Sequence, residues 1–150
     1  MQRRKFLSLG ALAAVAATVP ATLSAEDFRK SKPDVWTAKT VEDAIAKLYG
    51  KNATKSDAVK LTTPDVASNG GQIPVSFKTD IDAKTVAVFQ NVNPESAVIV
   101  YTIYPDSVID YSIKMKMKKS GTITVVVEGK DGNLYSTSKT LSVALGGCEG

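Results

Sequence analysis

Three observations predict a mainly β protein behind a short helical N-terminal part. From Ala58 onward seven apolar-rich runs of strand length follow one another, over 59–62, 72–78, 85–90, 97–104, 108–117, 122–128 and 134–143. Turn residues separate them at short intervals: Asn69-Gly70-Gly71, Asn93-Pro94, Pro105-Asp106, Ser120-Gly121 and Asp131-Gly132, the last marking a tight hairpin. One run alternates with period two, Ile109, Tyr111, Ile113, Met115 and Met117 against Asp110, Ser112, Lys114, Lys116 and Lys118, so the first set faces a core or partner and the second faces water. Seven short strands in about 90 residues have the size and rhythm of an immunoglobulin-like antiparallel β-sandwich, here without the paired cysteines of antibody domains.

The chain opens with Arg3-Arg4-Lys5-Phe6-Leu7, an apolar run over 9–19, Pro20, and a small-residue site ending Leu23-Ser24-Ala25. Basic, apolar and small-residue segments in that order form an export signal, and the apolar run is too short to span a bilayer. Paired arginines followed by Phe-Leu are the twin-arginine form, an address for exporting folded proteins. Residues 1–25 are therefore expected to be removed, leaving a periplasmic chain that starts near Glu26. The full chain has 19 Lys+Arg and 15 Asp+Glu. Taking away Arg3, Arg4 and Lys5 leaves 16 against 15, so the mature chain is nearly neutral and gives no electrostatic footprint for nucleic acid or an anionic membrane. About 125 residues suffice for one core without disulfide staples.

Residues 26–57 form an arm and a helix. The stretch over 26–39, with Lys32-Pro33 and Trp36, has no clear period and reads equally as a docking arm or a short helical turn. Thr40 then starts a helix with Asp43 three residues on, close to a capping box, and Val41, Ala44, Ile45, Leu48 and Tyr49 give it one apolar face. Gly50 is placed to end it. Residues 51–57 are polar and read as a linker, and the sandwich occupies 58–143. Met115 and Met117 read as core filling, because two thioethers with no histidine nearby make a poor metal site. Lys114, Lys116, Lys118 and Lys119 read first as a solvated face guarding an edge strand, and second as a positive patch for an anionic ligand or docking surface.

Residues 144–150 hold the single cysteine, in Gly146-Gly147-Cys148-Glu149-Gly150. Glycines open backbone conformations closed to other residues, which predicts a mobile tail and not a packed one. The five steps from Val143 to Cys148 reach on the order of 17 Å. An unpaired thiol in an oxidising compartment is an attachment point, one half of an intermolecular disulfide, or an incidental thiol. The chain has no histidine, which removes the usual serine and cysteine triads, imidazole metal sites and a general base poised near neutrality. Asp80 and Asp82 read as a polar turn, and Gly70-Gly71 precedes a strand, so it is no phosphate loop. A nucleophile without activating machinery suits an attachment point that other enzymes act upon. A thiol oxidoreductase would lack both a resolving cysteine and a base.

The segments Glu42-Asp43-Ala44-Ile45, Asn69-Gly70-Gly71-Gln72-Ile73-Pro74-Val75, Asn93-Pro94, and Asp131-Gly132-Asn133-Leu134-Tyr135 leading into Leu145-Gly146-Gly147-Cys148 make the chain resemble the SoxY family of bacterial thiosulfate oxidation. The resemblance covers nearly the whole mature chain. It implies a periplasmic immunoglobulin-like sandwich paired with a SoxZ-like β-sandwich protein. It also implies a carrier without cofactor or catalytic residue, which holds sulfur intermediates covalently on Cys148 while Gly146, Gly147, Glu149 and Gly150 form the swinging arm. A SoxAX-type haem enzyme would join thiosulfate oxidatively to Cys148, a SoxB-type hydrolase would release sulfate, and a sulfur dehydrogenase, where present, would oxidise the remaining sulfane. The alternative is a structural periplasmic subunit cross-linked through Cys148. One departure stands out: the family ending is Gly-Gly-Cys-Gly-Gly, and Glu149 replaces the first glycine after the cysteine. A carboxylate there favours the protonated thiol and repels an anionic adduct, an effect that solvent screening moderates.

Overall fold

The structure is a computed structural model that describes residues 25–144. The twin-arginine segment, and Gly146, Gly147, Cys148, Glu149 and Gly150, lie outside the described residues. Residues 26–39 are two short helical turns and not an extended arm: α1 (Phe28–Ser31) and a 3-10 turn (Pro33–Thr37). The Trp36 indole N–H donates to the Phe28 carbonyl at 3.2 Å, and the Arg29 guanidinium lies 4.2 Å from the Trp36 ring centre, so the two turns brace each other. Helix α2 (Val41–Tyr49) has the ends the sequence predicts. Thr40 accepts the Asp43 N–H at 3.2 Å, and Gly50 closes the helix at φ 71° with its N–H on the Ala46 carbonyl at 2.7 Å.

All seven predicted strands are present, with two more that the sequence hid. In order they are β1 (Thr54–Lys55), β2 (Val59–Thr62), β3 (Val66–Ala67), β4 (Ile73–Thr79), β5 (Ala83–Gln90), β6 (Ala97–Thr102), β7 (Ile109–Met115), β8 (Gly121–Gly129) and β9 (Leu134–Val143). They build one sheet in the order β1-β9-β8-β5-β6, with β3 also paired to β9, and a second in the order β2-β4-β7. The seven longer strands pair antiparallel, while β1 and β3 run parallel to β9. Residues 51–57 are thus more than a linker: Thr54 and Lys55 pair with Tyr135 and Ser136, and the Ser56 N–H bonds the Ser136 carbonyl at 2.8 Å. The Asp131-Gly132 hairpin is present, but its turn is wider than two residues. The Gly129 N–H closes it on the Asn133 carbonyl at 2.9 Å, with Gly132 at φ 85°.

The molecule has three layers. Between the two sheets lie Ile73, Val75, Phe77, Val86, Val88, Ile109, Met115, Met117, Ile123, Val125 and Val127. Both methionines fill this core, and Lys114 faces water on the free side of β7, as the alternation predicts. On the outer face of the larger sheet a second core joins Phe28, Val35, Ala38, Ala44, Ile45 and Leu48 to Ala87, Phe89, Val126 and Leu134. Strands β5 and β8 are therefore buried on both faces, which is why Val86-Ala87-Val88-Phe89 and Val125-Val126-Val127 are continuously apolar where a half-buried strand would alternate. At the open side, where edge strands β6 and β7 approach, Phe77, Tyr101 and Tyr111 close the seam with ring centres 5.1–6.1 Å apart.

Two predictions follow the helical layer. Leu48 is buried against the sheet, so Leu48→Ala should lower unfolding free energy by about 2–5 kcal/mol, read as a reduced denaturant midpoint. The Tyr49 hydroxyl pairs with Thr85 Oγ at 2.8 Å, and burial holds its ionisation well above the ordinary value of 10.0, against the lowering effect of the Thr85 bond. Above pH 10 the unfolded chain therefore releases a proton that the fold keeps, and stability falls as pH rises. Tyr49→Phe should flatten that alkaline decline in a pH series of denaturation midpoints, while costing about 1 kcal/mol at pH 7 for the lost hydrogen bond.

Candidate functional site

The end of β9 is the last described part of the chain, and three backbone N–H groups hold it. The Val143 N–H donates to Ser120 Oγ at 2.8 Å, the Ser142 N–H to the Asp65 carbonyl at 2.9 Å, and the Ala144 N–H to the Ala67 carbonyl at 2.9 Å. The strand is thus tied on one side to the start of β8 and on the other to β3. Around it three loops lock together. Gln90, 1% exposed, ends β5 with its side chain turned into the following loop, where Oε1 accepts the Val92 and Asn93 N–H groups at 2.7 Å each and Nε2 donates to the Glu95 carbonyl at 2.6 Å. A buried amide that makes three hydrogen bonds to backbone holds the loop in one conformation. Asn93 passes the constraint on: its Nδ2 donates to the Lys116 carbonyl at 2.7 Å and its Oδ1 accepts the Lys118 N–H at 3.0 Å. Asn91 Oδ1 accepts the Thr122 N–H at 2.8 Å, and the Gly70 carbonyl accepts the Met117 N–H at 2.9 Å.

This end therefore gathers motifs that lie far apart in sequence. Asn69-Gly70-Gly71, Asn93-Pro94, the lysine loop and the last residue of β9 meet here. Asp131-Gly132-Asn133 lies at the opposite end of the sandwich, where Asp131 accepts the Tyr135 hydroxyl, and that bond holds the Asp131 carboxyl below its ordinary range. Glu42, Asp43, Ala44 and Ile45 sit on α2. Asp80 and Asp82 bound the turn between β4 and β5, where Asp82 pairs with Lys130 Nζ at 2.8 Å and accepts the Lys130 N–H on its carbonyl at 2.8 Å, so the turn is tied to the β8–β9 hairpin. Sequence reasoning read Ser120 only as a turn residue and Gln90 only as a strand end, and it missed the hydrogen-bonding roles of Gln90, Asn91 and Ser120. Gln90 leaves one trace, a lone amide closing an apolar run.

This end is a cross-linked mount for the end of β9. Among the described residues no group of three His, Cys, Asp or Glu side chains is disposed to hold a metal ion. A recess of about 500 Å³ lies between Lys60, Lys78, Asp80, Ile81, Val108 and Asp110, at the far end of β4 and β7.

The family model for sulfur oxidation protein SoxY matches residues 45–148. The chain belongs to the SoxY family. Among solved structures it is similar to the sulfur carrier protein SoxY of Chlorobium limicola f thiosulfatophilum, with TM-score 0.62 and 29% identity over 77% of this chain and 99% of that one. Superoxide reductase (neelaredoxin) from Ignicoccus hospitalis aligns with TM-score 0.52 and 15% identity over 58% of this chain and 80% of that one. A putative superoxide reductase from Thermotoga maritima gives TM-score 0.52 and 13% identity over 61% and 94%. Those two share the fold alone. A search of the curated proteins found no match. The SoxY match begins inside α2 and ends on Cys148, so it takes in every contact that holds the end of β9.

Gly121 tests the mount. A Cβ there would lie 2.3 Å from Val92 Cγ1 and 2.6 Å from Asn91 Oδ1, both in the loop that Gln90 organises. Gly121→Ala should destabilise the fold by about 1–3 kcal/mol, with early loss of hydrogen-exchange protection at Thr122 and Val143.

Proposed function

We propose that this SoxY-family chain is a periplasmic sulfur carrier, exported by the twin-arginine route, which holds thiosulfate-derived intermediates on Cys148 while partner enzymes act on them. The observation that carries this reading is the family match running to Cys148, and the likeness to a protein described as a sulfur carrier supports it. The mount adds physical sense. A covalent carrier needs a thiol that travels and a base that does not, and here the base is cross-linked through Gln90, Asn93, Ser120 and the parallel strand β3.

The chemistry balances as follows. The Cys148 thiolate and thiosulfate form a new S–S bond with loss of two electrons to a SoxAX-type haem enzyme, giving Cys–S–S–SO3⁻. Water then cleaves the bond to the sulfonate sulfur on a SoxB-type hydrolase, releasing sulfate and two protons and leaving the persulfide Cys–S–S⁻. Where a sulfur dehydrogenase is present it oxidises that sulfane. A SoxZ-like sandwich is the stable companion in this reading, and the chain itself is substrate and shuttle, with no catalytic residue and no cofactor of its own.

The test is the intact mass of the mature protein from its own periplasm, with and without reductant, beside a Cys148→Ser control. Reductant-sensitive increments of sulfur or thiosulfate are expected, and they should vanish in the control. A mass showing only free thiol or a disulfide-linked homodimer, from cells actively oxidising thiosulfate, would replace the carrier with a cross-linked structural subunit.

A further inference from the structure

We propose that Lys116, Lys118 and Lys119 form a docking surface for residues 145–150 of this same chain, receiving the Glu149 carboxylate and the anion carried on Cys148. The Glu149 part stands by itself, while the part concerning the adduct rests on the carrier reading.

Edge protection does not account for these lysines. β7 is the edge strand, and it stops at Met115. Lys114 lies on it, but Lys116, Lys118 and Lys119 lie beyond its end, in the loop leading to β8. All three are exposed, and none is ion-paired with another described residue. The acids near this end are engaged elsewhere: Glu95 lies 3.9 Å from Lys39, and Asp65 pairs with Lys139 at 2.9 Å. Three cations within four positions of one loop raise the local positive potential, which favours an anion beside them.

The loop is also held still, and next to the right place. Asn93 grips the Lys116 carbonyl and the Lys118 N–H, Gly70 grips the Met117 N–H, and Ser120 grips the Val143 N–H. Through Ser120, the Cα of Lys118 falls within roughly 13 Å of the Val143 nitrogen. Residues 145–148 reach roughly 14 Å from Ala144, and Glu149 roughly 17 Å. The only charged side chain in 144–150 is Glu149. A carboxylate that looks adverse beside the thiol therefore has a cationic partner within its own radius, and a sulfonate on Cys148 would reach the same surface.

The test uses amide spectra of the ¹⁵N-labelled mature chain. Cys148 is converted by sulfonatoethyl or trimethylammonioethyl methanethiosulfonate; in each case the thiolate displaces methanesulfinate and forms a disulfide, so two groups of similar length differ in the sign of their charge. The sulfonate form should shift the amides of 116–120 at least twofold more than the cationic form. That difference should disappear in about 0.5 M salt, where the screening length is about 4 Å, and in the double variant Lys118→Gln, Lys119→Gln. In the unmodified protein, Glu149→Gln should shift the same amides and leave Asp131 to Asn133 unmoved. Equal shifts from the two disulfides would overturn docking of the adduct, and silence of 116–120 on Glu149→Gln would overturn docking of the arm. A carrier that does not dock would still show its mass increments without these shifts, so the two readings fail separately.

Discussion

The register between β8 and β9 sets everything at the Ala144 end of the sandwich, because it determines which residue of β9 is the last one held. The pairing runs without a shift from Glu128 opposite Leu134 to Gly121 opposite Leu141. A slip of one residue would carry Leu141 and Val143 out of the core and exchange them for Ser142 and Thr140. Both faces resist that slip. On the outer face Thr122 and Thr140 hydroxyls meet at 2.8 Å, and Thr124 and Ser138 at 2.9 Å. On the inner face Ile123, Val125 and Val127 pack into the core between the sheets. Only with that register does the Val143 N–H face Ser120, which sets the end of β9 beside the lysine loop.

The helical layer serves the same end from further away. By covering Ala87, Phe89 and Val126 it buries the second face of the central strands, so β5 and β8 sit in a double core. Buried apolar area of this kind supplies most of the stability of a domain this size. The loop after β5 inherits the rigidity of the strand before it, since Gln90 is both the last residue of β5 and the clasp of the loop. The Ser96 N–H on the Ala38 carbonyl, at 3.0 Å, ties that loop back to the helical layer. The loops around the end of β9, the central sheet and the helices are one continuous set of contacts.

Much of the fold was legible because its signals are local. The alternation of 109–117, the cap at Thr40, the stop at Gly50 and the turn dipeptides each depend on a few neighbouring residues, and each appears where predicted. What escaped notice depends on distant partners. Thr54-Lys55 and Val66-Ala67 are two-residue strands with no period to detect, and they exist only because β9 offers them a parallel edge. The burial of β5 on both faces was written in Val86-Ala87-Val88-Phe89, but such a run is silent about what covers the second face. At the site, Cys148 and its glycines were conspicuous from composition alone. The roles of Gln90, Asn91 and Ser120 were invisible because they lie in hydrogen bonds to backbone across 2 to 31 residues of sequence.

The short parallel strands have a mechanical meaning as well. A pull on Val143 along the strand direction loads β9 along its own axis. The perpendicular hydrogen bonds to β8 on one side and the slanted ones to the parallel strands β1 and β3 on the other take such a load in shear, all together and not one after another. An edge strand held on one side and pulled outward would instead peel bond by bond. Pairing on both sides lets the end of β9 bear such a load while the domain behind it stays folded.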